Sequence, residues 1–307
     1  MTDEQLLGNL FREALYSADS APEVMENFSD KISAKFTSED FLLLQMATQL
    51  RESAEIRKKA PMYMQMMSSI SSHCFSLIHK THPDLHFCTS QRFKGCLSEL
   101  YKRYERVQDG LSPEIKDLPA LRIILLEDET QEILHIEYLI VQEILESTSA
   151  LSKDPNFPLY VNLSTPDKSV NKNAFDSEKY PEVLIPNADT IIPGLDKLGK
   201  DYISAPKKEG YQSYHLTFEL VMKNNPSIRI FAEIQIRTIT QHKYAEHGPA
   251  SHKNYKDRRK KKLEEIFKFD KNNVHIKGYY PDENVEFEKD YSGFSKPILL
   301  TEISQTL

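Results

Sequence analysis

The sequence predicts an α/β fold (α+β in the broader sense), in which a mixed sheet is flanked by helices and preceded by a helical N-terminal region. Short runs rich in β-branched residues read as strands, and longer stretches repeat apolar residues at helical spacing. With 307 residues, 39% of them apolar, the chain is long enough to bury a substantial core. The strands are predicted at 120–127, 214–221 and 227–238.

Helices are predicted for most of residues 3–80. Cap-type and acidic residues at 37–40 indicate one helix start, and Pro61 suits the first turn of the next helix. Ser90 is predicted to cap a further helix over residues 91–107. On that helix, apolar residues would gather on one side and a basic strip with one hydroxyl on another. The strip consists of Arg92, Lys94, Ser98 and Lys102.

After the strand at 120–127, a helix is predicted to begin at Thr130. Residues 151–193 are rich in Asn, Asp, Ser and Pro, which predicts an irregular insertion or a mobile lid. The last predicted strand alternates with period 2, so Glu233, Gln235 and Arg237 should share its non-core face. An edge strand with a solvated polar face would give the same pattern.

Composition narrows the classes of function. A net charge of −7 argues against a protein that binds nucleic acid over its whole surface. No run of eighteen apolar residues suggests a membrane span, and the N-terminus does not resemble a signal peptide. The three cysteines, odd in number and without a C-x-x-C pair, indicate free thiols in a reducing compartment. We therefore expect a cytoplasmic protein.

Several residues suit a site that binds a nucleoside triphosphate. Such a site needs cations for the phosphates, carboxylates for Mg²⁺ and an aromatic face for a base. Asp117 and Glu233 are the candidate carboxylates, and Tyr211 offers the aromatic ring. The candidate cations are Lys94, Lys102, Lys200, Lys207 and Lys208. Because many α/β domains contain such residues, this pattern alone leaves the question open.

Five segments in order resemble the synthetase domain of the RelA/SpoT-homologue family, which makes the alarmones ppGpp and pppGpp. They are RFKGCLSELYK (92–102), DLPALRII (117–124), KDYISAPKKEGYQSYH (200–215), EIQIRT (233–238) and AEHGPASHKNYK (245–256). The third and fourth are the most specific. The resemblance covers residues from about 90 to 256.

This resemblance implies a diphosphotransferase that moves the β,γ-pyrophosphate of ATP to the 3′-hydroxyl of GTP or GDP. It also implies a mostly antiparallel, nucleotidyltransferase-like sheet. Asp117 and Glu233 would hold Mg²⁺, and Glu233 would help to deprotonate the hydroxyl. Residues implied for ATP are Arg92, Lys94, Ser98, Lys102 and Arg122. Those implied for the acceptor nucleotide are Lys200, Lys207, Tyr211, His215, Gln235 and Arg237.

Some positions depart from the family pattern. Glu209 stands where the family usually has Asn, and Leu198 stands where bifunctional members usually have Arg. The sequence has no adjacent His-Asp pair of the kind used by the family's hydrolase domain, which predicts synthesis without hydrolysis. We therefore expect a helical region over 1–85, a synthetase domain over 86–256 and a C-terminal extension over 257–307.

Two alternative functions and two associations stay open. A toxin-like relative would use an adenine nucleotide or the 3′ end of tRNA as acceptor, and the basic run 253–262 could then contact tRNA. A catalytically inactive nucleotide sensor would keep the fold, although retention of both Asp117 and Glu233 weighs against it. Assembly into a homo-oligomer is the other association that the sequence leaves open.

Overall fold

The structure, a computed structural model of the chain, describes residues 38–94, 96–164, 175, 177–207 and 209–248, together with Leu10, Glu13, Glu23 and Glu26. The chain divides into two compact units. Described residues of the first unit lie within Met1–Pro61 and Gly95–Ile115, and those of the second within Met62–Lys94 and Lys116–Arg258. The predicted extension 257–307 lies outside the described residues, and the predicted boundaries at 85 and 256 stay predictions.

Helices and strands are numbered in chain order over the described residues. The helices are α1 (Ser38–Lys58), α2 (Ala60–Thr81), α3 (Cys96–Gln108), α4 (Gln131–Lys153) and α5 (Ile239–His247). The strands are β1 (Phe87–Phe93), β2 (Pro119–Leu125), β3 (Leu159–Leu163), β4 (Lys200–Asp201), β5 (Tyr214–Met222) and β6 (Asn225–Thr238). None of the described helices combines the length and the apolar character that a membrane crossing requires.

In the first unit, α1 packs against α3 around a buried carboxylate. Glu99 is 1% exposed and accepts hydrogen bonds from Arg57 and from Arg103, whose Nε and Nη2 lie 3.0 and 2.9 Å from Oε1. Arg103 also donates to Oε1 of Gln49. A buried charge is tolerated only when it is paired in this way, so the polar contacts define how the two helices meet.

The second unit is built on one sheet with the strand order β1-β2-β6-β5-β3, and β4 pairs with β5 outside this path. Only β2 and β6 are parallel among these pairs, and the other pairings are antiparallel. The predicted mixed, mostly antiparallel α/β fold is therefore confirmed.

The sheet has one apolar face, which helices cover. Leu121 and Ile123 of β2 share this face with Leu216 of β5, in the pattern that strand alternation predicts. α4 packs on the sheet, and its Tyr138 ring meets that of Tyr214 edge-on with centroids 6.3 Å apart. α2 contacts β1 on the same side, for example through the Phe75 and Phe87 rings. The opposite face of the sheet carries polar side chains.

Most of the predicted elements are confirmed close to their predicted bounds. α1 begins at Ser38, and Pro61 occupies the first turn of α2. Thr130 caps α4, because its side chain accepts a hydrogen bond from the backbone N–H of Ile133. The strands predicted at 120–127, 214–221 and 227–238 correspond to β2, β5 and β6.

Two predictions about local structure are wrong. Ser90 does not cap a helix but lies inside β1, and α3 begins only at Cys96. The ladder of β1 with β2 runs over seven residue pairs, from Phe87 to Phe93. Burial of both terminal phenylalanines against the sheet therefore overrides the local helical periodicity. The stretch predicted as irregular contains β3, in which Leu159 and Val161 are buried while Tyr160 is exposed.

Candidate functional site

The polar face of the sheet brings predicted site residues together. Directly paired residues on neighbouring strands point to the same face of a sheet. The register pairs Arg122 with Gln235, Gln235 with His215, and His215 with Lys200, so these four residues form a row across β2, β6, β5 and β4. The next row contains Glu233, which pairs with Ala120, and Ala120 in turn pairs with Arg92. Arg237 lies two residues beyond Gln235 on the same face, as the period of β6 predicted.

Glu233 is the buried carboxylate at the centre of this face, with 6% of its surface exposed. Its Oε1 accepts a hydrogen bond from Nε2 of Gln235 at 2.6 Å, and its Oε2 lies 3.0 Å from Nδ1 of His215. Because an ionised carboxylate can only accept, Nδ1 of His215 carries the proton. Two neighbouring side chains therefore fix the orientation of Glu233.

A second hydrogen bond links His215 to Tyr211. The Tyr211 hydroxyl lies 2.9 Å from Nε2 of His215, which accepts the phenolic proton when Nδ1 is protonated. Burial lowers the pKa of His215, against the opposing effect of Glu233, and burial raises the pKa of Tyr211. Both directions favour a neutral imidazole and a protonated phenol at neutral pH. Tyr211, His215 and Glu233 thus form a continuous hydrogen-bonded chain.

Lys207 lies over two tyrosine rings beside this chain. Its Nζ is 4.4 Å from the centroid of the Tyr202 ring and 4.8 Å from that of Tyr211. The Tyr202 ring also meets His215 edge-on at 5.2 Å. The side chains place a cation next to aromatic faces, which is the combination that a nucleotide with a stacked base and charged phosphates requires.

Arginine side chains form a positively charged cluster near Tyr211. Arg122 donates to Oε1 of Gln235 at 3.2 Å and to Oε1 of Glu246 at 3.1 Å. Arg237 is fully buried, and its Nη2 lies 3.6 Å from the same Glu246 oxygen. The three nitrogens of Arg237 have no hydrogen-bond partner among the described residues. Unsatisfied buried guanidinium donors are costly, so this cluster is suited to receiving an anion.

The pKa of Arg122 supports the same interpretation. Burial, followed by the positive charges of Arg92 and Arg237, lowers this pKa to about 10, against the opposing effect of Glu246. Like charges within a buried region repel one another and are stabilised by a multiply charged anion. Glu246 is the carboxylate that faces both Arg122 and Arg237.

We expect Glu246→Gln to destabilise the protein without ligand and to increase its response to pyrophosphate. Glu246 is partly exposed, so the loss should be about 1–2 kcal/mol, below that of a fully buried pair. Thermal unfolding with and without inorganic pyrophosphate measures both effects, because ligand binding to the folded state raises the midpoint. Glu219→Gln, which removes only a 3.9 Å contact with the exposed Arg229, is the matched control. Equal pyrophosphate shifts in wild type and Glu246→Gln would contradict the expectation.

Asp117 lies just before β2 and forms an ion pair with Lys94. Oδ2 of Asp117 is 2.9 Å from Nζ of Lys94, and the carboxylate is 6% exposed. Asp117 comes three residues before Ala120, the register partner of Glu233. Both carboxylates supply the oxygen ligands that Mg²⁺ prefers, and a carboxylate oxygen that accepts one hydrogen bond retains a second lone pair. Each of the two carboxylates is therefore chemically able to bind the ion.

The predicted basic strip is not one face of a helix. Arg92 lies on β1 and Lys94 follows that strand, whereas only Ser98 and Lys102 belong to α3. The side chain of Ser98 lies outside the described part of the structure, as does the basic run 253–262. Strand pairing of residues 87–93 is the physical reason for this correction.

Two side chains of the site were not predicted from the sequence. Tyr202 and Glu246 each lie within a quoted segment, but their residue types carry no pattern that separates them from ordinary surface residues. Tyr202 becomes noticeable only through its contacts with Lys207 and His215. Glu246 becomes noticeable only because α5 places its side chain beside Arg122 and Arg237.

Comparison with known proteins agrees with the resemblance found in the sequence. Residues 183–260 match the family model RelA_SpoT, described as a region found in RelA / SpoT proteins. A stretch of 65 residues is 44% identical to GTP diphosphokinase CRSH1, chloroplastic, of Oryza sativa subsp. japonica, and covers 21% of this chain and 10% of that protein. A stretch of 57 residues is 44% identical to the probable GTP diphosphokinase CRSH, chloroplastic, of Arabidopsis thaliana, with 19% and 9% covered. The match thus spans about a tenth of these relatives, and the predicted resemblance is confirmed for this region.

Solved structures also match. Small alarmone synthetase 2 of Bacillus subtilis is 20% identical with a TM-score of 0.34, and the match covers 70% of this chain and 94% of that one. Small alarmone synthetase 1 of Bacillus subtilis, bound to its product pppGpp, is 17% identical with a TM-score of 0.34, and 74% and 97% are covered.

Proposed function

We propose that this chain, which carries a RelA/SpoT region, is a pyrophosphokinase that transfers the β,γ-diphosphate of ATP to the 3′-hydroxyl of GTP or GDP. The observation that carries the proposal is the buried chain of Glu233, His215 and Tyr211 beside the arginine cluster on one face of the sheet. A fixed carboxylate next to concentrated positive charge suits attack of a hydroxyl on a phosphoanhydride.

ATP is assigned to the side of the face that carries Arg92 and Arg122, here called the arginine side. Arg122 and Arg92 would contact the donor nucleotide, and Lys94 would exchange its contact with Asp117 for a phosphate oxygen. For Ser98 and Lys102, a role in ATP binding is implied by the family resemblance alone. Cations that are held rigidly stabilise the charge that spreads over the transferred group in the transition state.

The acceptor nucleotide is assigned to the tyrosine side. Its guanine would stack on Tyr211, while Lys207 and Lys200 would neutralise its phosphates. His215, Gln235 and Arg237 would form the polar wall of this pocket. These polar side chains would orient the acceptor nucleotide, because a few convergent polar groups fix how a ligand binds.

The chemical step assigns one role to Glu233. The O–H bond of the 3′-hydroxyl breaks and Glu233 accepts the proton. The oxygen forms a bond to the β-phosphorus, and the bond from that phosphorus to the α,β-bridging oxygen breaks, so that AMP leaves. Asp117 and Glu233 would hold Mg²⁺, which supplies charge neutralisation for the phosphates. That this chain synthesises without hydrolysing stays a prediction.

The second candidate function uses a different acceptor, because Glu209 immediately precedes Gly210 and Tyr211 within residues 202–213, here called the acceptor loop. Glu209 replaces the Asn that is usual in the family, so a negative charge stands beside the proposed acceptor site in place of a neutral amide. An adenine nucleotide or the 3′ end of tRNA would then take the place of GTP or GDP.

Transfer of label from γ-labelled ATP tests both candidates. The purified chain is incubated with labelled ATP, Mg²⁺ and, separately, GDP, GTP, unlabelled ATP or deacylated tRNA. Labelled GDP or GTP supports the first candidate, and labelled ATP or tRNA supports the second. No labelled acceptor, with Glu233→Ala indistinguishable from wild type, would instead indicate an inactive nucleotide-binding protein.

A further inference from the structure

Residues 180–190, here called the strap, are hydrogen-bonded to the side chain of Gln131 at the start of α4. The Gln131 amide donates from Nε2 to the carbonyl of Ile185 at 2.9 Å. Its Oε1 accepts from the backbone N–H of Asn187 at 2.8 Å and from the hydroxyl of Thr190 at 2.9 Å. One glutamine therefore satisfies polar groups at three positions of the strap.

Both partners of this attachment, Gln131 on α4 and Thr190 in the strap, are held in place. Gln131 is the first residue of α4, directly after the N-cap Thr130, so its backbone is held by the helix. Nδ1 of His135, one turn further along α4, lies 3.0 Å from the carbonyl oxygen of Thr190. Thr190 itself is 6% exposed. Side chains anchored on a helix position their partners more exactly than side chains on loops do.

The strap is joined in turn to residues 202–213, the acceptor loop. The side chain of Gln212 is 3% exposed, and its Nε2 donates to the carbonyl of Leu184 at 2.8 Å and to the carbonyl of Ile203 at 3.0 Å. A single buried amide thus connects the strap with the start of the acceptor loop. If the strap moves, Gln212 must lose one of two buried hydrogen bonds, which is costly.

A steric contact reinforces this connection at the turn of the loop. Gly210 has φ of 78°, a left-handed conformation that favours glycine. A Cβ built at Gly210 would lie 3.0 Å from Cγ2 of Val183 in the strap and 2.9 Å from Cε1 of Tyr244 in α5. The backbone that carries Tyr211 therefore runs directly against the strap.

We propose that Gln131 is a positioning residue for the acceptor loop, acting through the strap on Gly210 and Tyr211. Among the described residues, the Gln131 amide bonds Ile185, Asn187 and Thr190, none of which is assigned to substrates or to proton transfer. It determines where the strap lies, and the strap determines the path of the loop that presents Tyr211 and Lys207. The consequence for the acceptor nucleotide rests on the proposed function, whereas the coupling of strap and loop does not.

Loss of this amide should affect the acceptor and spare the donor. Gln131→Met keeps the length of the side chain and removes all three hydrogen bonds. We expect the KM for the acceptor to rise about tenfold, which corresponds to the net value of one hydrogen bond. The KM for ATP and kcat should stay within about twofold of wild type, because Gln235 and Glu246 hold the Arg122 guanidinium.

Kinetics and hydrogen exchange on the full chain test the proposal together. Gln131→Met should accelerate amide exchange both in the strap and in residues 202–213. Gln131→Glu, which keeps the acceptor oxygen for Asn187 and Thr190 but loses the bond to Ile185, should give an intermediate change. Gln142→Met is the matched control on the same helix, since the Gln142 amide bonds only Glu146 among described residues, at 2.8 Å. A circular dichroism spectrum and an unfolding midpoint report whether each variant is folded.

The outcomes separate this proposal from the proposed function. Faster exchange in the strap alone, with an unchanged acceptor KM, would overturn the role of Gln131. Should Gln131→Met fail to fold, Gln131→Glu decides by the same two readouts. If wild type labels no acceptor, the proposed function fails, and exchange alone decides on the coupling. Coupled exchange of both segments then supports it, and independent exchange refutes it.

Discussion

Glu233→Gln is expected to lower the rate of diphosphate transfer by about three orders of magnitude while the protein stays folded. The amide has the size of the carboxylate and can keep one contact with Gln235 or His215. It cannot accept the proton of the 3′-hydroxyl, and it is a poor ligand for Mg²⁺. Glu233 is buried, and its two carboxylate oxygens are oriented by His215 and Gln235, so the substitution changes the group that is positioned for the hydroxyl.

Single-turnover label transfer measures this effect, and binding of each nucleotide is measured separately by calorimetry. We expect the affinities to change by less than about tenfold, since the loss concerns the chemical step. Glu219→Gln is the control, because Glu219 lies on the polar face of the sheet, is partly exposed, and among the described residues forms an ion pair with the exposed Arg229 alone. Activity of Glu233→Gln within tenfold of wild type would show that Glu233 takes no part in the chemical step.

Tyr211→Ala is expected to raise the KM for the acceptor nucleotide by about 10- to 100-fold, the value of one base stacked on an aromatic ring. The substitution also removes one of the two rings under Lys207 and the hydroxyl that bonds His215. Tyr211→Phe keeps the ring and loses only the hydroxyl. We therefore expect Tyr211→Phe to change the acceptor KM by less than about tenfold.

Initial rates are measured at varied acceptor concentration with fixed ATP, and then at varied ATP with fixed acceptor. The two series give a separate KM for each nucleotide. Tyr160→Ala is a matched control, because Lys223 lies over the Tyr160 ring at 5.1 Å on β3, the strand at the end of the sheet, outside the rows that hold the site residues. It removes a comparable lysine–tyrosine contact outside the site. An equal rise of the KM for ATP and for the acceptor in Tyr211→Ala would show that the ring supports the fold rather than the base.

The strands and the polar face of β6 could be predicted because their signals are local. Alternation along one strand requires only that each residue faces the side opposite to its neighbour, so Glu233, Gln235 and Arg237 were predicted correctly to share a face. The cap at Thr130 is equally local. Ser90 shows the limit of this reasoning. Its surroundings have helical periodicity, but pairing with β2, about thirty residues further along the chain, stabilises a strand instead.

Local patterns were enough to predict the α/β class, the period of β6 and the five segments that resemble the RelA/SpoT synthetase domain. Which residues come into contact became known from the folded structure. The contact of Glu246 with Arg122 spans 124 residues, and that of Gln131 with Thr190 spans 59. Such contacts depend on how strands pair and where helices return on the sheet, which no local pattern of residue types encodes. This is why the residues of the polar face were named in advance, whereas Glu246, Tyr202 and the Gln131 strap were not.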